Sequence, residues 1–257
     1  MNPLTEAMAI AWTSKRVWLL QFLATPVLFA LGTWWLTIPE AHIWQLGWSV
    51  ILAVAVVVAA LWLHAGTLVY FAHAQTARGA FRAAGRTLPL FAAWAVLLCT
   101  CLYLVDSRRD DIYQFAGYLR SILPLAGRRY VSDPAIQSAA ALVLWVFFWI
   151  MVPGLLLPMG AQLARRGLRG LGAVGWRAWG RSVGARQYWA ALIVLALVGV
   201  RVPQALVGWV PKMSTGSGET GSLVVRLLLA WSIAVTSWVM LASLVGRLGQ
   251  DRGPVGR

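Results

Sequence analysis

The chain has 257 residues, 60% of them hydrophobic and only 12% charged, with a formal net charge of +14. A soluble domain is about 45–50% apolar and about 25% charged, so a water-solvated globule of this length has nowhere to hide its apolar surface and lipid must solvate much of it. The arginines fall between apolar runs, which points to topology and anionic lipid and away from nucleic acid.

Continuous apolar runs long enough to cross about 30 Å of hydrocarbon select helices over the short alternating strands of a barrel. Residues 2–14 are expected to form an interfacial amphipathic helix: Asn2 suits its cap, Pro3 its first position, and Leu4, Met8 and Trp12 make one apolar stripe. Lys15-Arg16 and the run after it imitate a secretion signal. The run from Val17 to Ile38 is too long for one and no small-x-small site follows cleanly, so it is expected to persist as the first span, 17–38. A turn at Pro39-Glu40-Ala41-His42 leads to the second span, 44–73. A basic connection with Arg78, Arg82 and Arg86 precedes the third, 88–105. The two cysteines, Cys99 and Cys101, lie in that span about 200° apart on a helix, so they cannot pair locally.

The segment 106–134 is the longest polar stretch and sets Asp106, Asp110, Asp111 and Asp133 against Arg108, Arg109, Arg120, Arg128 and Arg129. Ile112, Phe115, Ala116, Leu119, Ile122 and Leu123 share a helical face, predicting a second surface helix over 111–124 capped by Asp110 or Asp111. The fourth span, 135–163, holds Pro153 and Pro158 and should kink or break near Gly154. The connection 164–187 carries six arginines and no acid, and its glycines 167, 170, 172, 175, 180 and 184 argue against a long regular helix. Spans 188–207 and 222–246 enclose a loop, 208–221, rich in Gly, Ser and Thr.

The expected architecture is therefore a single all-α domain over 1–257, a polytopic membrane bundle of about six transmembrane helices with two interfacial amphipathic helices. The positive-inside rule puts Lys15, Arg16, Arg78, Arg82, Arg86, the arginines of 164–187 and those after 246 in the cytoplasm, with both termini. Of the 16 tryptophans, Trp12, Trp18, Trp176, Trp179 and Trp189 on one side and Trp34, Trp35, Trp44, Trp48 and Trp209 on the other form aromatic belts.

All eight acids fall in predicted tails or loops. Coupled transporters place a carboxylate inside the membrane, and none is predicted here. No paired-carboxylate centre, metal site, cofactor fingerprint or catalytic residue is expected; Ser217, in Gly216-Ser217-Gly218, lacks a strand-turn-helix context and a following histidine. His64 is the one ionisable residue well inside a span, either a neutral group bonded to a neighbouring helix or a candidate intramembrane polar site. Arg201 and Arg226 flank the 208–221 loop. They either pair with Glu219 to pin the loop or form an anion or headgroup site.

Ala74-Gln75-Thr76-Ala77-Arg78-Gly79 and Ala161-Gln162-Leu163-Ala164-Arg165-Arg166-Gly167 form a faint repeat, each expected at a helix end entering a basic loop. With the Leu4–Trp12 stripe, these segments resemble uncharacterised bacterial six-helix membrane proteins. That group includes the membrane domain found ahead of glycerophosphodiester phosphodiesterases. The resemblance implies a helical bundle and transfers no catalytic residue; few residues remain after span six, so no phosphodiesterase domain is expected. The leading expectation is a non-enzymatic bacterial inner-membrane protein, an accessory, scaffold or assembly component. It would contact anionic lipid on the cytoplasmic side and partner membrane proteins or further copies of itself. The alternative is a transporter or lipid-handling protein with an anion or headgroup site near Arg201 and Arg226.

Overall fold

The computed structural model describes residues 3–39, 42–73, 76–124, 132–211 and 216–248, and among these there is no strand. In chain order come α1 (Pro3–Thr13), α2 (Lys15–Trp35), α3 (Ile43–His73), α4 (Ala77–Ser107), α5 (Arg109–Ile122) and α6 (Asp133–Val146). A π-helical turn (Phe147–Met151) joins α6 to α7 (Val152–Arg166), and a 3-10 turn (Gly167–Leu171) leads to α8 (Ala173–Gly184). Then α9 (Arg186–Ala196), a second π-helical turn (Leu197–Arg201), α10 (Val202–Gly208) and α11 (Gly216–Leu248) complete the described residues. Among the described residues six stretches are long and apolar enough to cross a bilayer, so the molecule is a polytopic membrane helix bundle.

Some expected boundaries are corrected. Arg78, Arg82 and Arg86 do not sit in a connection but ride on the first turns of α4. Thr76 caps that helix, its Oγ1 accepting from the Gly79 amide at 3.3 Å. Ala80, Phe81 and Ala84 on the opposite face are buried, and this packing is why the helix starts so early. The 208–221 loop shrinks as well, because α11 begins at Gly216 and takes Glu219 into its first turn. Neither Asp110 nor Asp111 caps α5. Both lie in its first turn, where a negative charge suits the helix dipole. The two repeat-like segments are not equivalent: Ala77-Arg78-Gly79 opens α4, whereas Ala161–Arg166 closes α7. Asn2, Glu40, Ala74, Gln75, Arg128, Arg129, Lys212 and the residues after 248 lie outside the described residues.

The prolines explain the two π turns. Proline has no amide hydrogen, and its ring crowds the carbonyl four residues back. Pro153 and Pro203 each stand two residues after a π turn, Phe147–Met151 and Leu197–Arg201, whose wider coil relieves that crowding. Pro158, inside α7, leaves the Gly154 carbonyl without its helical donor. The buried Tyr188 of α9 supplies one, its hydroxyl donating to Gly154 O at 2.8 Å. The next two carbonyls are also taken: Trp179 Nε1 donates to Leu155 O at 2.8 Å and Trp94 Nε1 to Leu156 O at 3.0 Å. Donors from α9, α8 and α4 thus satisfy the opened backbone of the fourth span, as a low-dielectric surrounding demands.

α11 is the hub, packing against α1, α2, α3, α9 and α10. Lipid is as apolar as leucine, so helix association inside it relies on close packing of small residues. Gly160 lies under the Trp94 ring, where an added Cβ would come within 2.5 Å. Gly246 faces the Phe71 backbone, where an added Cβ would sit 2.9 Å from the carbonyl carbon. Most buried side chains, including Leu68, Phe71, Ala84, Ala161, Ala164, Ala242 and Val245, lie toward the end of the bundle that holds the first turns of α4 and the last turns of α3, α7 and α11. This is termed the basic end. α1 docks there through Ala7 and Ala11, with Ser243 Oγ donating to Ala7 O at 2.8 Å and Arg247 pairing with Glu6 at 3.5 Å. Met8 and Trp12, from the predicted stripe, stay exposed.

Candidate functional site

Arg226, Arg201 and Glu219 make up the candidate site drawn from sequence, and their environments are separate. Arg226 is 7% exposed. Its guanidinium donates to Ser222 O at 3.2 Å, to Leu206 O at 3.4 Å, to Val207 O at 3.3 Å and to the Trp209 carbonyl. Those last acceptors are the carbonyls that the end of α10 leaves without amide partners. Arg226 is therefore a side-chain cap for α10, reaching across from α11. Glu219 is exposed and makes no ion pair among the described residues. The carboxylate is thus absent from the arginine's shell, and backbone oxygens take its place.

Arg201 is exposed and ends the second π turn. It lines a cavity of about 410 Å³ with Asp106, Arg109, Tyr113, Trp145 and Gln204, between the end of α4, α5, α6 and the start of α10. Arg226 lines neither this cavity nor the neighbouring apolar one that also touches Arg201. Asp106 pairs with Arg109 at 3.0 Å, both well exposed, so that pair contributes little stability but neutralises one guanidinium. Arg201 forms no ion pair among the described residues, leaving the cavity one positive charge in excess. Trp145 also lines the cavity, and its Nε1 is buried without a hydrogen-bond partner among the described residues. The arrangement has the chemistry to hold a small anion: a cation, a phenol and an amide.

His64 stands apart from both arginines. Its ring meets Trp238 of α11 edge to face at 4.9 Å, and its Nδ1 has no partner among the described residues. The buried polar contact of that region is instead Gln21, whose Nε2 donates to Thr67 Oγ1 at 2.7 Å, with Thr67 donating onward to Leu63 O at 2.8 Å. This link joins α2 to α3. Sequence reasoning missed Gln21, although a glutamine inside the Val17–Ile38 run was the available signal.

A second polar cavity, of about 840 Å³, opens at the basic end and is lined by Arg86, Thr87, Arg165, Arg166 and Arg169 with Ala83 and Val174. Thr87 Oγ1 donates to Ala164 O at 2.9 Å and pins α7 to α4 there. Gly167 turns the chain at the joint with φ +58, a left-handed value that a side chain would strain. Among the described residues no group of three His, Cys, Asp or Glu side chains gathers to hold a metal ion. Cys99 and Cys101 are free thiols.

No family of known proteins, no curated protein and no solved structure matches the chain.

Proposed function

We propose that this is a non-enzymatic, lipid-interacting component of the bacterial inner membrane. It takes the anionic headgroup of a lipid, or a small anion of the same chemistry, in the cavity beside Arg201. The single observation behind this is the unneutralised Arg201 sharing one cavity with Trp145, Tyr113 and Gln204 at a helix-bundle end. A charge within an apolar span is costly unless something compensates it, and among the described residues no carboxylate beyond the one held by Arg109 lines the space. In this proposal the basic end is cytoplasmic, with α1 and the end of α11. The positive-inside rule supports that orientation, and the exposed Met8 and Trp12 of α1 then rest in the interface.

The test is purification of the wild-type chain and Arg201→Gln from native membranes in neutral detergent, with bound lipids and proteins identified by mass spectrometry. Wild type should retain an anionic lipid or anion in a defined ratio, and Arg201→Gln should lose about tenfold in retention. Equal retention by both would defeat the proposal. A stable partner complex without any enriched anion would favour a scaffold or assembly role instead.

A further inference from the structure

Midway along its length α3 leaves Val54, Val57 and Val58 exposed, whereas from Leu63 onward protein covers it and Ala65, Leu68, Val69 and Phe71 are buried. At this step an apolar groove of about 540 Å³ opens between α2, α3 and the first turns of α4. Leu20, Ala24 and Leu28 of α2 line one side, and Ala59 and Leu63 of α3 line another. Two contacts hold α3 to α4 here. Trp62 Nε1 donates to Phe81 O at 2.8 Å, and the Phe81 ring lies against Gly66, where a Cβ would have no room. Arg78 and Arg82, one turn apart on α4, line the same groove. Both are exposed, and neither has a hydrogen bond or ion pair among the described residues. Among those residues no carboxylate lines the groove.

The groove thus joins an apolar trough to two like charges at i,i+4 spacing, which repel each other on a helix. The arginines share it with Ala59 and Leu63, which lie inside the apolar run Ile43–Ala72 and not past its end. A charge beside such a run is costly until something compensates it. Planar guanidinium forks match phosphate oxygens two at a time. A soluble anion would gain nothing from the leucines and alanines, and an uncharged lipid would gain nothing from the arginines. We infer that the groove binds an anionic phospholipid, with one acyl chain between α2 and α3 and its phosphate on Arg78 and Arg82. The volume falls within the roughly 300–1,000 Å³ of small-ligand sites, and Leu20 to Leu28 offers about 12 Å of helix for the chain to lie along. The groove shares no lining residue with the Arg201 cavity and does not rest on it.

The experiment uses the whole chain in neutral detergent, titrated with dioleoyl phosphatidylglycerol, dioleoyl phosphatidylcholine or inorganic phosphate alone, and read by native mass spectrometry. Arg78→Gln/Arg82→Gln removes the two arginines of the groove. Arg86→Gln/Arg177→Gln removes two exposed arginines that do not line it and leaves the same net charge. Phosphatidylglycerol should bind wild type about tenfold more tightly than phosphatidylcholine, and the groove variant should weaken it about thirtyfold. The control variant should stay within about twofold of wild type. Ala24→Phe, which fills the trough from a half-buried position, should weaken phosphatidylglycerol about tenfold with both arginines in place. Equal losses in the two arginine variants would show diffuse attraction and overturn the site, and so would unchanged binding to Ala24→Phe. Inorganic phosphate binding as tightly as phosphatidylglycerol would overturn the lipid source. Wild type gives a reading that no variant's folding can blur. Phosphatidylglycerol carrying a diazirine in one acyl chain should, on photolysis, label the groove segments of α2 and α3. Labelling spread evenly onto the exposed Val225 and Leu228 of α11 would overturn the assignment. Arg201→Gln, run alongside, should leave the groove unaffected, so failure of one site is distinguishable from failure of the other.

Discussion

A buried arginine in a membrane span needs acceptors, and Arg226 finds them on the backbone at the end of α10 instead of on Glu219. Removing it strands those carbonyls at once. Arg226→Met is expected to destabilise the protein by about 2 kcal/mol in detergent, whereas Glu219→Gln should leave the unfolding midpoint unchanged; thermal denaturation of both variants checks this. Tyr188 gives a sharper case. Its hydroxyl is needed because Pro158 cannot supply an amide to Gly154 O. Tyr188→Phe should cost about 1 kcal/mol, and the cost should nearly vanish in a Pro158→Ala background, where a new amide reaches the same carbonyl. A double-mutant cycle reads that coupling directly, and additive effects would refute the assignment. Sequence exposed the prolines and the arginine. It could not name their partners, because Tyr188 is thirty-four positions from Gly154.

At the scale of elements, the prolines shape the fourth and fifth spans through π turns. The expected break near Gly154 is a π turn ending just before Pro153 followed by a helix that continues past Pro158. The equivalent turn before Pro203 carries Arg201 at its last position. One extra residue per turn rotates the remainder of the span by about 100° relative to a straight helix. Pro203→Ala should let this turn anneal to α-helix and carry Arg201 away from Tyr113, with which it shares a cavity. Cysteines placed at 113 and 201, in a chain whose Cys99 and Cys101 are serine, should link through a short bis-maleimide. Adding Pro203→Ala should abolish the link. An unchanged yield would show that proline does not hold the turn. The 164–187 segment behaves in the same way. Its glycines argue against one long regular helix, and Gly167 and Gly170 permit a tight reversal, after which α8 forms over Ala173–Gly184.

Across the whole molecule, packing is uneven. The basic end holds most of the buried side chains, while α2, α3 and α11 leave Leu23, Phe29, Ile51, Val54, Val225 and Leu228 exposed along their remaining lengths. Small residues should therefore matter according to where they sit. Gly160→Val, under the Trp94 ring, should cost about 1–3 kcal/mol and displace the Trp94–Leu156 bond. Gly32→Ala and Gly47→Ala, with nothing within 4 Å of the added carbon, should be neutral or slightly stabilising. Thermal unfolding with tryptophan fluorescence separates the two outcomes, and equal effects at all three positions would contradict a packing centre at the basic end.

What the sequence determined by itself was the solvent and the number of crossings. Apolar length and charge frequency are local properties, and lipid imposes its thickness on each span independently. The presence of α1 and α5, and the prolines as the irregular points of their spans, were legible for the same reason. The tertiary structure alone decided which arginines act as caps, which pair, and which converge. Arg226 turned to backbone carbonyls, Arg201 joined Asp106 and Arg109 around one cavity, and Arg86 met Arg165, Arg166 and Arg169 across another. Those meetings depend on helix register and on which faces touch, set by residues far apart in the chain, so no window of sequence contains them.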